Sequence, residues 1–117
     1  MSIEAEILQA IRNAMPSKAE IQVVAGAGAF NVNVSWTLDD DPDRPNKMSK
    51  TISISLSHEA AQDFASASVA SQASGYKRVA SFLSERLAEF DPQHNAPKHK
   101  SPPVEQWIIS SAVLGAG

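Results

Sequence analysis

The sequence contains no cysteine. Disulfide bonds, thiolate metal sites and cysteine nucleophiles are therefore excluded. Small exported domains commonly depend on disulfides, so the absence of cysteine favours the reducing environment of the cytoplasm. We accordingly expect a cytoplasmic protein.

Long hydrophobic runs and strong charge are missing as well. No stretch reaches the roughly 18 consecutive apolar residues that a transmembrane helix needs, so we expect no membrane span. Residues 1–15 contain Glu4, Glu6 and Arg12 and lack the basic region and apolar core of a signal peptide. The net charge of −3 is too small to select a partner by its field. We expect no membrane partner, and the composition disfavours nucleic acid.

Two segments that alternate between apolar and polar side chains are the clearest pattern, at residues 29–38 and 48–57. Successive side chains of a strand point to opposite faces, so each segment predicts a strand with one buried face. Residues 20–25 predict a shorter strand before them. Three consecutive strands with short connections indicate an antiparallel meander.

Helical spacing of apolar residues predicts three helices. The first covers residues 2–15 and ends at Pro16. Ser57 is a suitable N-cap for the second, which runs to about residue 71. Gly75 indicates a break, and the third helix covers residues 76–90. The sequence therefore predicts an α+β fold, in which an antiparallel sheet of three or four strands carries helices on one face.

The domain organisation follows from a proline-rich stretch. Residues 1–90 form a single α+β domain, and residues 91–103 contain four prolines and predict an extended linker. Residues 104–117 form an apolar C-terminal segment, for which a strand is favoured and a short helix is the alternative. We expect this segment to dock on the chain's own sheet or on a second subunit.

No motif reaches the level of a metal or cofactor signature. Asp39, Asp41 and Asp43 have the spacing of the first ligands of a calcium loop, but Arg44 stands where that loop needs glycine. Residues 26–28 read Gly-Ala-Gly, but a strand follows them, so they indicate a hairpin turn rather than a phosphate-binding loop. We therefore expect no metal and no cofactor.

The remaining titratable residues give two alternative hypotheses. An enzyme or small-ligand protein with an unrecognised pocket would involve Asp41, Asp43 and His58 first. A nucleic-acid-binding domain would use four basic side chains: Lys77, Arg78, Lys98 and Lys100.

The order helix–strand–strand–strand–helix over about residues 2–71 resembles the topology of double-stranded-RNA-binding domains, which implies RNA binding. The lysine cluster that such domains place at the start of the second helix is missing, because residues 58–63 read His-Glu-Ala-Ala-Gln-Asp.

The polar face of the two alternating strands is a further candidate surface. We call it the outer face, and it consists of seven uncharged residues: Asn31, Asn33, Ser35, Thr37, Thr51, Ser53 and Ser55. Short hydroxyl and amide side chains leave the backbone approachable, so this face suits contact with another protein or a second copy. Together with Trp107 in the C-terminal segment, it gives the predicted binding surface. We expect a non-enzymatic binding or protein-interaction module, with homodimer formation as one mode of action.

Overall fold

The computed structural model describes residues 3–26, 28–38, 43, 47–94, 100 and 102–115. It confirms the α+β class, with a four-stranded sheet and helices. The elements in chain order are α1 (Ile3–Ala14), β1 (Glu20–Gly26), β2 (Ala29–Ser35), β3 (Thr51–Ser57), α2 (His58–Ala65), α3 (Val69–Glu89), β4 (Val104–Ile109) and α4 (Ser111–Leu114).

The sheet is mixed, and the prediction of a purely antiparallel sheet is wrong. Its strand order is β1-β2-β3-β4, and the first two pairings are antiparallel. β4 pairs in parallel with β3, from Thr51 opposite Val104 to Leu56 opposite Ile109. The connection between these strands contains α2 and α3, and a long helical crossover returns the chain to the end of the sheet where β3 began.

The core lies between one face of this sheet and the helices. The sheet contributes fully buried residues from β2 and β3, among them Val32, Val34 and Ile52, while α1 contributes Ile11 and α3 contributes Leu83. Phe90, just after α3, makes edge-to-face contacts with two tryptophans. Its ring centroid lies 5.7 Å from that of Trp36 and 6.0 Å from that of Trp107.

The boundary between the second and third helices differs from the prediction. Ser57 caps α2 as expected, and its Oγ accepts a hydrogen bond from the Ala60 amide at 3.1 Å. The break, however, comes at residues 66–68, where Ser68 caps α3 by accepting from the Ser71 amide. Gly75 lies inside α3 and is buried, because α3 packs there against Phe64 of α2 too closely for a side chain.

The segment after α3 and the segment before β4 both bind the start of β3. The Lys50 amide donates to the Pro92 carbonyl at 3.0 Å, and the Thr51 amide donates to the Pro103 carbonyl at 2.9 Å. These two bonds tie both described ends of the proline-rich stretch to the start of β3. Among the helices that the structure describes, none has both the length and the apolarity to cross a membrane.

Candidate functional site

The outer face lies on the side of the sheet away from the helices. All seven of its residues are half-buried, and along β2, its extension to Thr37 and β3 they alternate with core residues such as Val32 and Ile54. The Ser55 hydroxyl donates to Asn31 Oδ1 at 2.7 Å across two strands. The fold therefore brings these seven residues onto one surface.

Both edge strands extend the outer face. One row across the sheet runs from Gln22 through Asn33 and Ser53 to Gln106, and every side chain in it is uncharged. Aliphatic side chains stand at the margins with much of their surface exposed: Val24 at 37%, Ile108 at 58% and Val104 at 64%. The result is a surface with an apolar rim and an uncharged centre, and Glu20, opposite Ser35, adds one carboxylate at its edge.

Trp107 does not belong to the outer face, and its expected place on a binding surface is corrected. Its side chain is 1% exposed, because the parallel register sets it beside Ile54 on the core side of the sheet. The indole Nε1 donates to Glu105 Oε2 at 2.9 Å, which satisfies the one polar atom of the ring. The flanking Gln106 and Ile108 point to the outer face instead.

The other charged residues singled out in the sequence are described only in part. Lys77, Arg78 and Lys100 are exposed, and so is Asp43, while Lys98, Asp39 and Asp41 lie outside the described residues. Within the described ranges, no group of three or more His, Asp or Glu side chains is arranged to hold a metal ion.

A cleft of about 590 Å³ opens between α1, α2 and α3. We call it the helical cleft. Its apolar walls are formed by Ile3, Ala61 and Ala65. Polar side chains from all three helices also line it: Glu4 of α1, His58 and Gln62 of α2, and Gln72 and Tyr76 of α3.

The helical cleft exists because small residues face it. Residues 58, 61, 62 and 65 share one side of α2 at helical spacing, and two of them are alanines. Tyr76 stands beside this gap with its ring nearly perpendicular to that of Phe64, at a centroid distance of 5.2 Å. The aromatic pair therefore fixes one wall.

Gln72 is held in place by the end of α2. Its Nε2 atom lies 3.2 Å from the Phe64 carbonyl oxygen and 3.3 Å from that of Ala65. These carbonyls belong to the last turn of α2, where the regular helical bonding ends, and the Phe64 carbonyl also accepts from the Ala67 amide at 3.0 Å. Since the NH₂ group is committed to them, the amide oxygen is the part of Gln72 that remains to accept from a ligand.

The electrostatics of the helical cleft are negative. Burial raises the pKa of the Tyr76 hydroxyl above its ordinary value of 10.0, and the carboxylates of Glu6 and Glu4 raise it further. Tyr76 therefore stays a neutral donor at physiological pH. None of the described lining residues is lysine or arginine.

The sequence pointed to only one residue of the helical cleft, His58. Glu4, Gln62, Gln72 and Tyr76 were missed, because Tyr76 fits the apolar stripe of α3 and the others read as exposed helix positions. The available signal was the pair Ala61 and Ala65 on one side of a short helix, which leaves space where larger residues would fill it.

No family model, curated protein or solved structure matches this chain. Its function is therefore inferred from the chemistry of its own surfaces.

Proposed function

We propose that the chain is a non-enzymatic binding module and that the helical cleft is its site for a small molecule. The observation that carries this proposal is the convergence of polar side chains from three helices on one concave, partly apolar cleft. Its volume of about 590 Å³ lies within the range of roughly 300–1,000 Å³ that is usual for small-ligand sites. The absence of cysteine supports a cytoplasmic location for this activity.

Binding is favoured over catalysis because the described titratable side chains of the cleft are not joined by hydrogen bonds. Within the described part of the chain, no hydrogen bond joins the His58 side chain to Glu4 or to Tyr76. Nucleophilic and general-base catalysis need a base within hydrogen-bond reach of the group that it activates. The arrangement offers polar contacts to a ligand without such a relay.

A second candidate function is weak self-association through the outer face. It is supported by the exposed aliphatic rim and by the absence of charge in the row from Gln22 to Gln106. Two copies can stack this central row without repulsion between like charges, while Glu20 lies at the edge of the face. This would make the module a transient homodimer.

The test of the helical cleft is a screen of small neutral and charged compounds by two-dimensional amide NMR on the full chain. We expect the shifted resonances to cluster on the three helix segments that line the cleft. Ala65→Phe places a ring in the cleft and should weaken each hit by about tenfold or more, equivalent to ~1.4 kcal/mol. Ala88→Phe, on the exposed far end of α3, is the matched control and should leave binding unchanged.

The proposal is overturned if hits map elsewhere on the protein, or if Ala65→Phe binds them as tightly as the unmodified chain. A screen that returns no hit in the helical cleft also counts against it.

A further inference from the structure

We propose that the helical cleft recognises an organic cation, a primary amine carried on a small apolar body. This inference rests on the proposed function, since it names the class of ligand that the same site takes.

The first argument is the sign of the charge around the cleft. Glu4 lines it directly, and Glu6 lies close enough to raise the pKa of the Tyr76 hydroxyl. No lysine or arginine is found among the described lining residues that could neutralise these carboxylates. The basic pair Lys77 and Arg78 lines a different groove, on the side of α3 that faces α4.

The second argument is the number of acceptors. An ammonium group carries three donors and no acceptor, so its site must present oxygen atoms. The Glu4 carboxylate supplies a charged acceptor, and Gln62 adds an amide oxygen. The amide oxygen of Gln72 is oriented by the bonds that its Nε2 makes to the end of α2. Within the described residues, the Glu4 carboxylate makes no hydrogen bond or ion pair.

The third argument is the mixed character of the walls. The face of an aromatic ring attracts a cation placed over it, and the contact with Phe64, at 87° between the ring planes, fixes the orientation of the Tyr76 ring. Ile3, Ala61 and Ala65 offer an apolar surface for the uncharged part of the same molecule. An inorganic cation would gain nothing from these walls.

One feature acts in the opposite direction. The cleft lies near the N-termini of α1 and α2, whose dipoles favour anions. Each dipole is equivalent to only about half a charge at the helix end, and the cap at Ser57 already takes up one amide of α2. The two carboxylates of Glu4 and Glu6 together outweigh the two half charges, so they decide the sign.

The experiment compares three probes with the same phenylethyl framework: phenethylamine, 2-phenylethanol and phenylacetate. Binding to the full chain is measured by amide NMR titration at about pH 8, where imidazole side chains are generally uncharged and a primary amine is charged. We expect phenethylamine to bind most tightly, the alcohol more weakly and the carboxylate least. Glu4→Gln keeps the shape of the side chain and should weaken phenethylamine by roughly five- to tenfold while leaving the alcohol unchanged.

Glu89→Gln removes the same charge from the far end of α3, about 20 Å along the helix from Tyr76, and should change nothing. If phenylacetate or the alcohol binds in the helical cleft as well as the amine, the charge assignment is wrong while the proposed binding site stands. If none of the three probes shifts the cleft resonances, both the ligand class and the proposed function fail.

Discussion

At the scale of single residues, Tyr76 gives the most direct measure of the electrostatics of the helical cleft. It is the only tyrosine in the chain, so the ultraviolet absorbance of tyrosinate reports on this one hydroxyl. Burial, Glu6 and Glu4 all raise its pKa above 10.0. We expect Glu6→Gln to lower the measured pKa toward the ordinary value, because a negative charge near the phenolate is removed.

Because folding raises the pKa of Tyr76, this residue makes the stability of the protein depend on pH. The folded state holds the Tyr76 proton more tightly than the unfolded state, so the contribution to stability is present below about pH 10. It is lost as the pH rises through the folded pKa. The control Glu89→Gln should leave the titration in place, and a Tyr76 that titrates at or below its ordinary value would contradict the description of the cleft as negative and partly buried.

Residues on β2 and β3 could be assigned to a face from the sequence, but Trp107 could not. Alternation along a strand shows which residues share a face. It correctly predicted that Val32 faces the core and Asn33 the outer face, because the pattern on β2 is long and regular. Side chains of β4 also point to alternate faces, but which of them face the core depends on how β4 is aligned with β3. No local pattern in the sequence carries that register.

At the scale of elements, the crossing of α2, α3 and α4 depends on Gly75. A Cβ atom at this position would overlap the Phe64 ring and lie 2.9 Å from the Leu114 carbonyl oxygen. Gly75→Ala should therefore destabilise the protein by about 1–3 kcal/mol, through overpacking at a helix crossing. Thermal or urea denaturation followed by circular dichroism measures the change.

The sign of that change is informative, because alanine is the better helix former by about 1 kcal/mol. Ser74→Ala, at the exposed neighbouring position, is the matched control and should be neutral or slightly stabilising. A more stable Gly75→Ala protein would mean that the crossing has room for a methyl group and that the helices are held by other contacts.

The helix boundaries show where local pattern and packing disagree. The Ala- and Ser-rich stretch before Gly75 has no strong apolar stripe, so the sequence pattern predicts that the helix is interrupted at this glycine. In the structure the capping serine at residue 68 starts α3 and the glycine serves the crossing. Whether a small residue ends a helix or permits a close helix contact depends on its neighbours in the fold. The neighbour of Gly75 is Phe64, which belongs to another helix.

At the scale of the whole molecule, the outer face sets a limit on self-association. Four strands spaced by about 4.8 Å and six residues of about 3.3 Å cover roughly 400 Å². A stable interface buries about 800 Å² on each partner, so stacking of two outer faces alone gives a weak dimer. We expect a monomer at micromolar concentration in sedimentation experiments and concentration-dependent amide shifts on β2 and β3 near millimolar.

Ser53→Lys puts a charge in the middle of the outer face and should remove those concentration-dependent shifts, because two stacked copies bring like charges together. Ser84→Lys, on the exposed side of α3, is the control and should preserve them. A stable dimer at micromolar concentration, or shifts that map to the helices, would show that a different surface mediates association. A chain shortened to end at Asp91 cannot test self-association, because the truncation also removes Trp107 and Ile109 from the core.

The fold could be predicted further than the site. Periodicity located the first helix and the alternating strands, because burial of one face imposes a repeat on the sequence. The helical cleft has no such repeat, since it is a gap between three helices whose lining comes from Glu4, His58 and Tyr76 at distant positions. A cleft of this kind becomes visible only when the helices are placed against each other.

The parallel pairing of β3 with β4 also has a kinetic consequence. Glu20 pairs with Ser35, fifteen positions along the chain, whereas Thr51 must find Val104, 53 positions away. Closing the larger loop costs more chain entropy. The first three strands can therefore pair before β4 does, which leaves the outer edge of β3 unpaired. During refolding, that bare edge is the surface on which two chains would pair in error.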